Sequence, residues 1–458
     1  MSLWTLKTLA DAAGGALSGA EPETAVTGIS IDTRTLSPGD AFFAIRGVSK
    51  DGHQFVQSAM DAGAAAALID HGEALRAIKV DDTQAALERV GVAARARLMP
   101  DTPVVAVTGS VGKTGTKELL RLAFGVGGSV HASAASHNNL WGVPLTLARM
   151  PAEVDAGIFE IGMSHAGEIT PLTKMVRPSV AIITTVGPVH LEFFDSVAGI
   201  ADAKAEIFAG LQPGGTAIIP ADNTHAARLT SAAEVAGAKI LTFGSDRADA
   251  YLTRFDPATG RTRALVMGEV IDFTVSGGMH IARNALAVAL ALLASGRPLA
   301  GMAALSDFAP QKGRGRRVRL AVPGGEALLL DEAYNANPSS MAAAFKSLAA
   351  APGRRIAILG DMLELGPTAP DLHRGLAMPL VEAGARIVHT VGTMVTHLAN
   401  ALPADRRGRH ADTVEDLLAD LPELEPGDSV LVKGSNAVQL GRVVEAFETR
   451  YVRGGGDV

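Results

Sequence analysis

The chain contains no cysteine, which excludes disulfides, thiolate metal sites and a cysteine nucleophile and leaves the redox compartment undecided. A basic excess is also lacking. The 41 Lys+Arg stand against 48 Asp+Glu, a formal net charge of −7, so no global positive field invites nucleic acid or an anionic membrane surface. A local site for a small phosphorylated ligand stays open. No long hydrophobic run is present either: the most apolar stretch, Ala285–Ala294, is about half of what spans a bilayer, so membrane insertion is not expected. Lys7 and Asp11 interrupt Met1–Gly14, which offers no continuous apolar core before a cleavage site, so no signal peptide is expected and the cytoplasm is the default location. Tandem repeats are absent, and alanine bias is the only compositional skew.

What is present is a chain of 458 residues, 47% hydrophobic and 19% charged, with 50 glycines and 23 prolines dispersed along it. Disorder and fibrous repeats do not fit that composition, and at roughly 150 residues per domain the length predicts about three domains. From Val104 onward, short β-branched runs end in Gly, Asp or Asn and lead into longer helix-compatible stretches, the alternation of an α/β protein with parallel sheets. Val104–Val107, Ala156–Ile161, Val180–Val186 and Thr216–Pro220 form one series of predicted strands. A second series, Ala327–Asp331, Arg355–Leu359, Arg386–Val391 and Ser429–Val432, predicts a separate open sheet. The first hundred residues differ: strand-like Gly28–Asp32 and Ala41–Ile45 flank a turn, and an Ala-rich helix follows from about Phe55. Breaker-rich or charged connectors place boundaries near residues 100 and 312, giving expected domains of 1–100, 101–312 and 313–458.

The segment Val104-Val105-Ala106-Val107-Thr108-Gly109-Ser110-Val111-Gly112-Lys113-Thr114 is a hydrophobic strand entering a Gly-rich turn and then a helix pattern. Such a loop turns backbone N–H groups onto phosphate oxygens at a helix N-terminus, Lys113 can neutralise the β- and γ-phosphates, and the Thr114 hydroxyl can ligate Mg²⁺. The full Walker pattern would place glycine where Val107 stands, and the plain alternative is an ordinary strand-to-helix turn with an exposed lysine. Later strand ends offer further donors. Glu160 lies in an apolar strand, where a carboxylate is costly unless paired or bound to a cation. His190 follows the carboxyl end of a predicted strand, where ligands of open α/β sheets gather. Lys204 sits on a helix-compatible stretch, and by itself would be read as a solvated lysine.

Taken together these segments resemble the Mur ligase family of ATP-dependent amide-bond-forming enzymes, most closely its branch that adds D-alanyl-D-alanine. The likeness runs from Ser30-Ile31-Asp32-Thr33-Arg34 and Asp51-Gly52-His53, through the short Gly-Ser-x-Gly-Lys-Thr loop, Asn138-Asn139-Leu140-Trp141-Gly142, Glu160-Ile161-Gly162-Met163-Ser164-His165 and His190-Leu191-Glu192. It continues through Asp331-Glu332-Ala333-Tyr334-Asn335-Ala336-Asn337-Pro338, Leu359-Gly360-Asp361-Met362-Leu363-Glu364-Leu365-Gly366 and Val432-Lys433-Gly434-Ser435. The shortened loop accounts for the Walker departure. At the last motif the family often has Arg where this chain has Asn436.

The resemblance implies a three-domain Mur ligase architecture: a uridine-nucleotide domain, a central P-loop ATPase-type parallel sheet, and a C-terminal Rossmann-like domain that closes over the nucleotide. It implies ATP bound by Gly109, Ser110, Val111, Gly112, Lys113 and Thr114, with His280 and Asn284 near the adenine and Arg314 and Asp331 closing over phosphate and ribose. Two Mg²⁺ ions are implied, one on Thr114 and Glu160, the other on Glu160, His190 and a carbamylated Lys204. Lys113, Glu160, His190 and Lys204 become the expected catalytic set. Ser30, Thr33, Arg34, Asn138, Asn139, Ser164, His165, Tyr334 and Asn335 are expected at the substrates, a UDP-N-acetylmuramoyl tripeptide and D-alanyl-D-alanine. A monomer without nucleic-acid partners is expected.

Overall fold

The structure is a computed structural model that describes residues 2–47, 50–134 and 137–451, and the backbone of 453–457. Among the described residues, three sheets of five, nine and seven strands carry the helices, and a two-stranded antiparallel pair joins Trp4–Thr5 to Ala25–Val26. Near the N-terminus, strands run in the order Ala16–Ser18, Ala77–Lys79, Ala66–Ile69, Asp40–Phe43, Gly28–Ser30, parallel except for Ala16–Ser18 at one edge. The helix Thr83–Ala96 starts where the Asp82 side chain accepts the Ala85 N–H at 2.7 Å, an N-cap. At Gly91 it meets Gly142–Ala148 so closely that a Cβ would stand 3.2 Å from the Pro144 carbonyl.

The nine-stranded central sheet has at its heart six parallel strands, ordered Lys239–Gly244, Thr216–Pro220, Val180–Ile183, Val104–Thr108, Ala156–Glu160, Val130–Ala132. All five residues of Val104–Thr108 are buried, as expected for a strand covered by helices on both faces. Leu119, Phe124, Leu286 and Leu290, from helices Lys113–Phe124 and Met279–Ala294, pack on one face. Phe159, Leu172, Ile200 and Phe208 belong to the core on the other. Each such full burial stabilises by about 1.5–3 kcal/mol. The predicted strands of this series are all present, but the sheet also extends through Ala250–Phe255, Arg261–Val266 and Glu269–Thr274, the last two antiparallel. Met267 and Gly268, with φ of 49° and 86°, make the two-residue turn with left-handed backbone at both positions that matches strand twist.

The C-terminal sheet runs Arg407–Ala411, Ala385–Val391, Arg355–Gly360, Ser429–Lys433, Gly325–Glu332, Arg316–Val322, Arg453–Asp457. The first five are parallel, and Arg316–Val322 pairs antiparallel with Gly325–Glu332. Strand order reverses between Arg355–Gly360 and Ser429–Lys433, which makes the loops after those two strands a topological switch point. No helix among the described residues is long and apolar enough to cross a membrane.

Candidate active site

Three strands side by side in the central sheet, Val104–Thr108, Ala156–Glu160 and Val180–Ile183, end at one edge, and each delivers a different group. The first runs into Gly109–Gly112, where φ is 148° at Gly109 and 87° at Gly112. A Cβ at Gly109 would stand 1.9 Å from the Thr184 hydroxyl, and one at Gly112 would stand 2.6 Å from the Asn284 amide nitrogen. Only glycine fits both conformation and space. Lys113 opens the helix and donates to the Gly109 carbonyl at 2.6 Å. Ser110 is engaged within the fold: its N–H donates to the Thr185 carbonyl at 2.9 Å, and its hydroxyl takes the Gly187 N–H at 2.9 Å. The Thr184 hydroxyl donates to the Val111 carbonyl at 2.6 Å, so the phosphate loop and the loop leading to His190 brace each other.

The second strand ends on Glu160, 1% exposed. One carboxylate oxygen takes the Asn138 amide at 2.7 Å, and the other has no partner among the described residues, like the buried Thr114 hydroxyl. Buried oxygens left unpaired in this way are unusual and ask for a ligand. A hydroxyl and a carboxylate are hard oxygen donors suited to Mg²⁺, so the residues present fit the cation that the resemblance implies. Lys204, near the end of helix Val197–Ala205, is 1% exposed, and no carboxylate or carbonyl among the described residues pairs with its ammonium. Burial, aided by the charge of Lys113, holds its pKa well below the usual lysine range. Burial lowers the pKa of Lys113 as well, with Glu160 opposing and Arg314 adding to the shift. Lys113 therefore lies within electrostatic reach of Glu160, Lys204 and Arg314, which gathers four predicted residues around one point.

The third strand leads to His190, whose φ is 55°. Its Nδ1 is engaged by Glu364, a carboxylate from the loop after Arg355–Gly360 in the other sheet, and not by Glu160 or Lys204. Ser164 and His165 lie on the same rim: Glu168 accepts the Ser164 N–H at 2.8 Å and binds His165 Nδ1 at 3.0 Å, and the His165 ring stands 4.3 Å from Phe193. The hydrogen bond with His190 lowers the Glu364 pKa, burial opposes it, and the net shift is downward, with His165 also contributing.

Residues 311–316 connect the central part of the chain to the C-terminal sheet. The Arg314 guanidinium lies 4.1 Å over the Tyr334 ring. Asp331, predicted at the ribose, spends its carboxylate on the connector, accepting the Gly313 N–H at 2.8 Å and facing Arg316 at 3.4 Å. Asn335 is held through its carbonyl by Lys433 at 2.6 Å. Asn284 lies against the phosphate loop, as stated, whereas His280 is solvent-exposed at the start of the same helix. Asn139 caps the turn before Gly142–Ala148, accepting the Gly142 N–H at 2.9 Å. In the N-terminal sheet, Ser30 donates to the Asp32 carbonyl at 2.9 Å, exposed Arg34 pairs with Asp32 at 2.6 Å, and Thr33 is partly buried beside them. The Asp51-Gly52-His53 segment joins Arg46, Asp70 and His71 in a network that uses its own nitrogens and oxygens on one another. Sequence reasoning gave no role to Lys433, 2% exposed beside Glu332 at 3.9 Å, or to Glu364. Both stood inside quoted motifs, and the signal for Lys433 was a lysine closing the buried run Ser429–Val432.

Three family models match this chain: "Mur ligase family, catalytic domain" over residues 25–110, "Mur ligase middle domain" over 107–292, and "Mur ligase, glutamate ligase domain" over 313–436. A UDP-N-acetylmuramoyl-tripeptide--D-alanyl-D-alanine ligase of Rickettsia prowazekii is 31% identical, covering 97% of this chain and 100% of the relative. The enzyme of the same name from Escherichia coli is 34% identical, with 97% and 98% covered. A crystal structure of MurF from Acinetobacter baumannii superposes with a TM-score of 0.85 at 29% identity, covering 97% of this chain and 99% of that one. A phosphate loop, a half-paired carboxylate and a buried lysine converge at one sheet edge, in a chain alike over its whole length: it belongs to the Mur ligase family, in its MurF branch.

Proposed function

We propose that this chain joins D-alanyl-D-alanine to UDP-N-acetylmuramoyl-tripeptide with ATP, completing the pentapeptide precursor of peptidoglycan and releasing ADP and phosphate. The observation that carries this reading is the convergence of Lys113, Thr114, Glu160 and Lys204 at one edge, where the Thr114 hydroxyl and one Glu160 oxygen lack partners among the described residues and Lys204 is buried. Residues 1–100 would hold the uridine nucleotide, with Ser30, Thr33 and Arg34 at that ligand. Residues 101–312 would hold ATP, and residues 313–458 the dipeptide. The protein would act as a cytoplasmic monomer.

A carboxylate resists attack by an amine until one oxygen becomes a leaving group. The tripeptide's terminal carboxylate oxygen takes the γ-phosphoryl of ATP, the β,γ P–O bond breaks, and an acyl phosphate and ADP result. The dipeptide amine then forms the C–N bond at the acyl carbon, loses its proton, and phosphate departs with the C–O bond. Gly109–Gly112 and Thr114 cradle the phosphates, Asn284 supports Gly112, and His280 lies at the nucleotide, with Asp331 acting through the connector it pins. Lys113 and Arg314 stabilise charge that builds on the transferring group. Asn138 orients Glu160. Asn139, Ser164, His165, Tyr334 and Asn335 line the path of acyl acceptor and dipeptide, and closure of the C-terminal part excludes water from the acyl phosphate. Two Mg²⁺ ions, one on Thr114 and Glu160 and one on Glu160, His190 and a carbamylated Lys204, would supply phosphate charge neutralisation. Purified protein given ATP, Mg²⁺, UDP-N-acetylmuramoyl-tripeptide and D-alanyl-D-alanine should release phosphate together with a product of the condensed mass. Phosphate release that ignores the dipeptide would sink the assignment.

A further inference from the structure

We infer that Glu364 is a positioning residue for His190, which becomes correctly oriented only when the C-terminal sheet is docked on the central one. The two residues come from different sheets, and their pairing is supported by the backbone around it. His190 and Glu364 both adopt left-handed φ, 55° and 60°, so each side chain leaves its loop at a sharp turn toward the other. The Phe193 N–H donates to the His190 carbonyl at 2.9 Å, closing the turn that presents the imidazole, and the Glu192 N–H donates to the Glu364 carbonyl at 3.2 Å. Two residues on, Gly366 has φ 59°, and a Cβ there would stand 3.3 Å from Glu192 Cα. The segment Glu364–Gly366 is therefore fitted against His190–Glu192 by main chain as well as by side chain.

The chemistry of the pair follows from its donors. An ionised carboxylate only accepts, so the proton shared with Glu364 resides on His190 Nδ1, and in the neutral ring Nε2 keeps a free lone pair. That is the tautomer a metal-ligating histidine needs, and a carboxylate behind the ring is the usual way it is fixed. Without Glu364 the ring is free to rotate and to exchange tautomers. The loop after Arg355–Gly360 would in this way report domain docking to the reaction centre through one imidazole.

This inference rests on the ligase reading, and the test separates the two. The full chain is labelled with ¹⁵N in its histidine rings, and the His190 signals are identified by their loss in His190→Asn. Wild type should show the Nδ1–H tautomer, and Glu364→Ala should lose it. Binding of Mn²⁺ in the presence of ADP, followed by the free-ion electron paramagnetic resonance signal, should weaken about 10–100-fold in Glu364→Ala, and kcat should fall comparably with KM for the dipeptide nearly unchanged. Glu364→Gln keeps an acceptor oxygen in place and should recover most of both. Wild-type tautomer and Mn²⁺ affinity in Glu364→Ala overturn the inference, and so does an Nε2–H tautomer in wild type, which decides the matter even if the alanine variant does not fold. A wild-type chain that binds Mn²⁺ with the Nδ1–H tautomer yet makes no product would instead count against the ligase reading alone.

Discussion

A lysine ammonium at 1% exposure that pairs with no carboxylate among the described residues is an expensive side chain, because its charged form gives up hydration without an ion pair to offset the loss. Burial and Lys113 drive Lys204 toward the neutral amine, which is the form that adds CO₂. On the proposed function, carbamylation would turn this misfit cation into an anionic oxygen ligand within electrostatic reach of Lys113. Lys204→Ala should therefore lose activity by about two orders of magnitude or more, on the scale of losing a ligand rather than a neighbour of one. Millimolar acetate or propionate should restore part of that loss by placing a carboxylate in the vacated space. Normal turnover of Lys204→Ala without added acid would rule the carbamate out. From the sequence alone Lys204 read as a solvated helix lysine, since nothing in its neighbours, Ala203 and Ala205, announces burial; only the resemblance raised it. Glu160 was half legible, because a carboxylate in an apolar strand needs a reason but could equally face solvent by alternation. Glu364 was not, because its partner His190 is 174 residues away in the chain.

Helix Lys113–Phe124 does more than present Lys113. Lys117 is fully buried, donating to the Ser133 carbonyl at 2.7 Å and pairing with Glu118 at 2.8 Å. Glu118 also accepts from Arg121 at 2.8 Å and from Gln311 in the connector at 3.0 Å. Burial works to raise the Glu118 pKa, but Lys117 and Arg121 outweigh it and the net shift is downward. A carboxylate whose folded-state pKa is depressed contributes stability above its unfolded value, about 4.3, and loses it as pH falls through the folded value. Glu118→Gln should thus be less stable than wild type at pH 7, and the gap should close as the pH drops below about 4. A gap in denaturant midpoint that stays constant from pH 7 to pH 3 would show that the charge contributes nothing. At this scale the parallel strands were legible because each is a short apolar run with a breaker behind it. The antiparallel extension was overlooked although Arg261–Val266 alternates in burial as a half-buried strand does. Its turn, Met267-Gly268, lacks the Asn-Gly or Asp-Gly signature that usually marks such hairpins.

Across the whole molecule, an acidic chain of net charge −7 has to gather phosphorylated substrates, and on the proposed function the cations for that task are Lys113, Arg314 and Lys433, near the joint between central and C-terminal sheets. That concentration depends on the connector. Gln311 fastens it to the phosphate-loop helix through Glu118, Lys312 pairs with Glu445 at 2.7 Å, and Asp331 pins it to the C-terminal sheet by accepting the Gly313 N–H and facing Arg316. Arg316 also holds Glu448 at 2.8 Å, so removing Asp331 does not strand that guanidinium completely, but it does leave a buried N–H without its acceptor. Asp331→Ala should therefore destabilise the chain by on the order of 3 kcal/mol, near the lower end for breaking a buried pair. Asp331→Asn, which keeps an acceptor for Gly313, should cost less. The ribose contact implied by resemblance predicts a different pattern, a raised KM for ATP in both variants at unchanged stability. Chemical denaturation and ATP titration on the two variants separate these roles, because pinning the connector moves the unfolding midpoint first and touching the nucleotide moves KM alone.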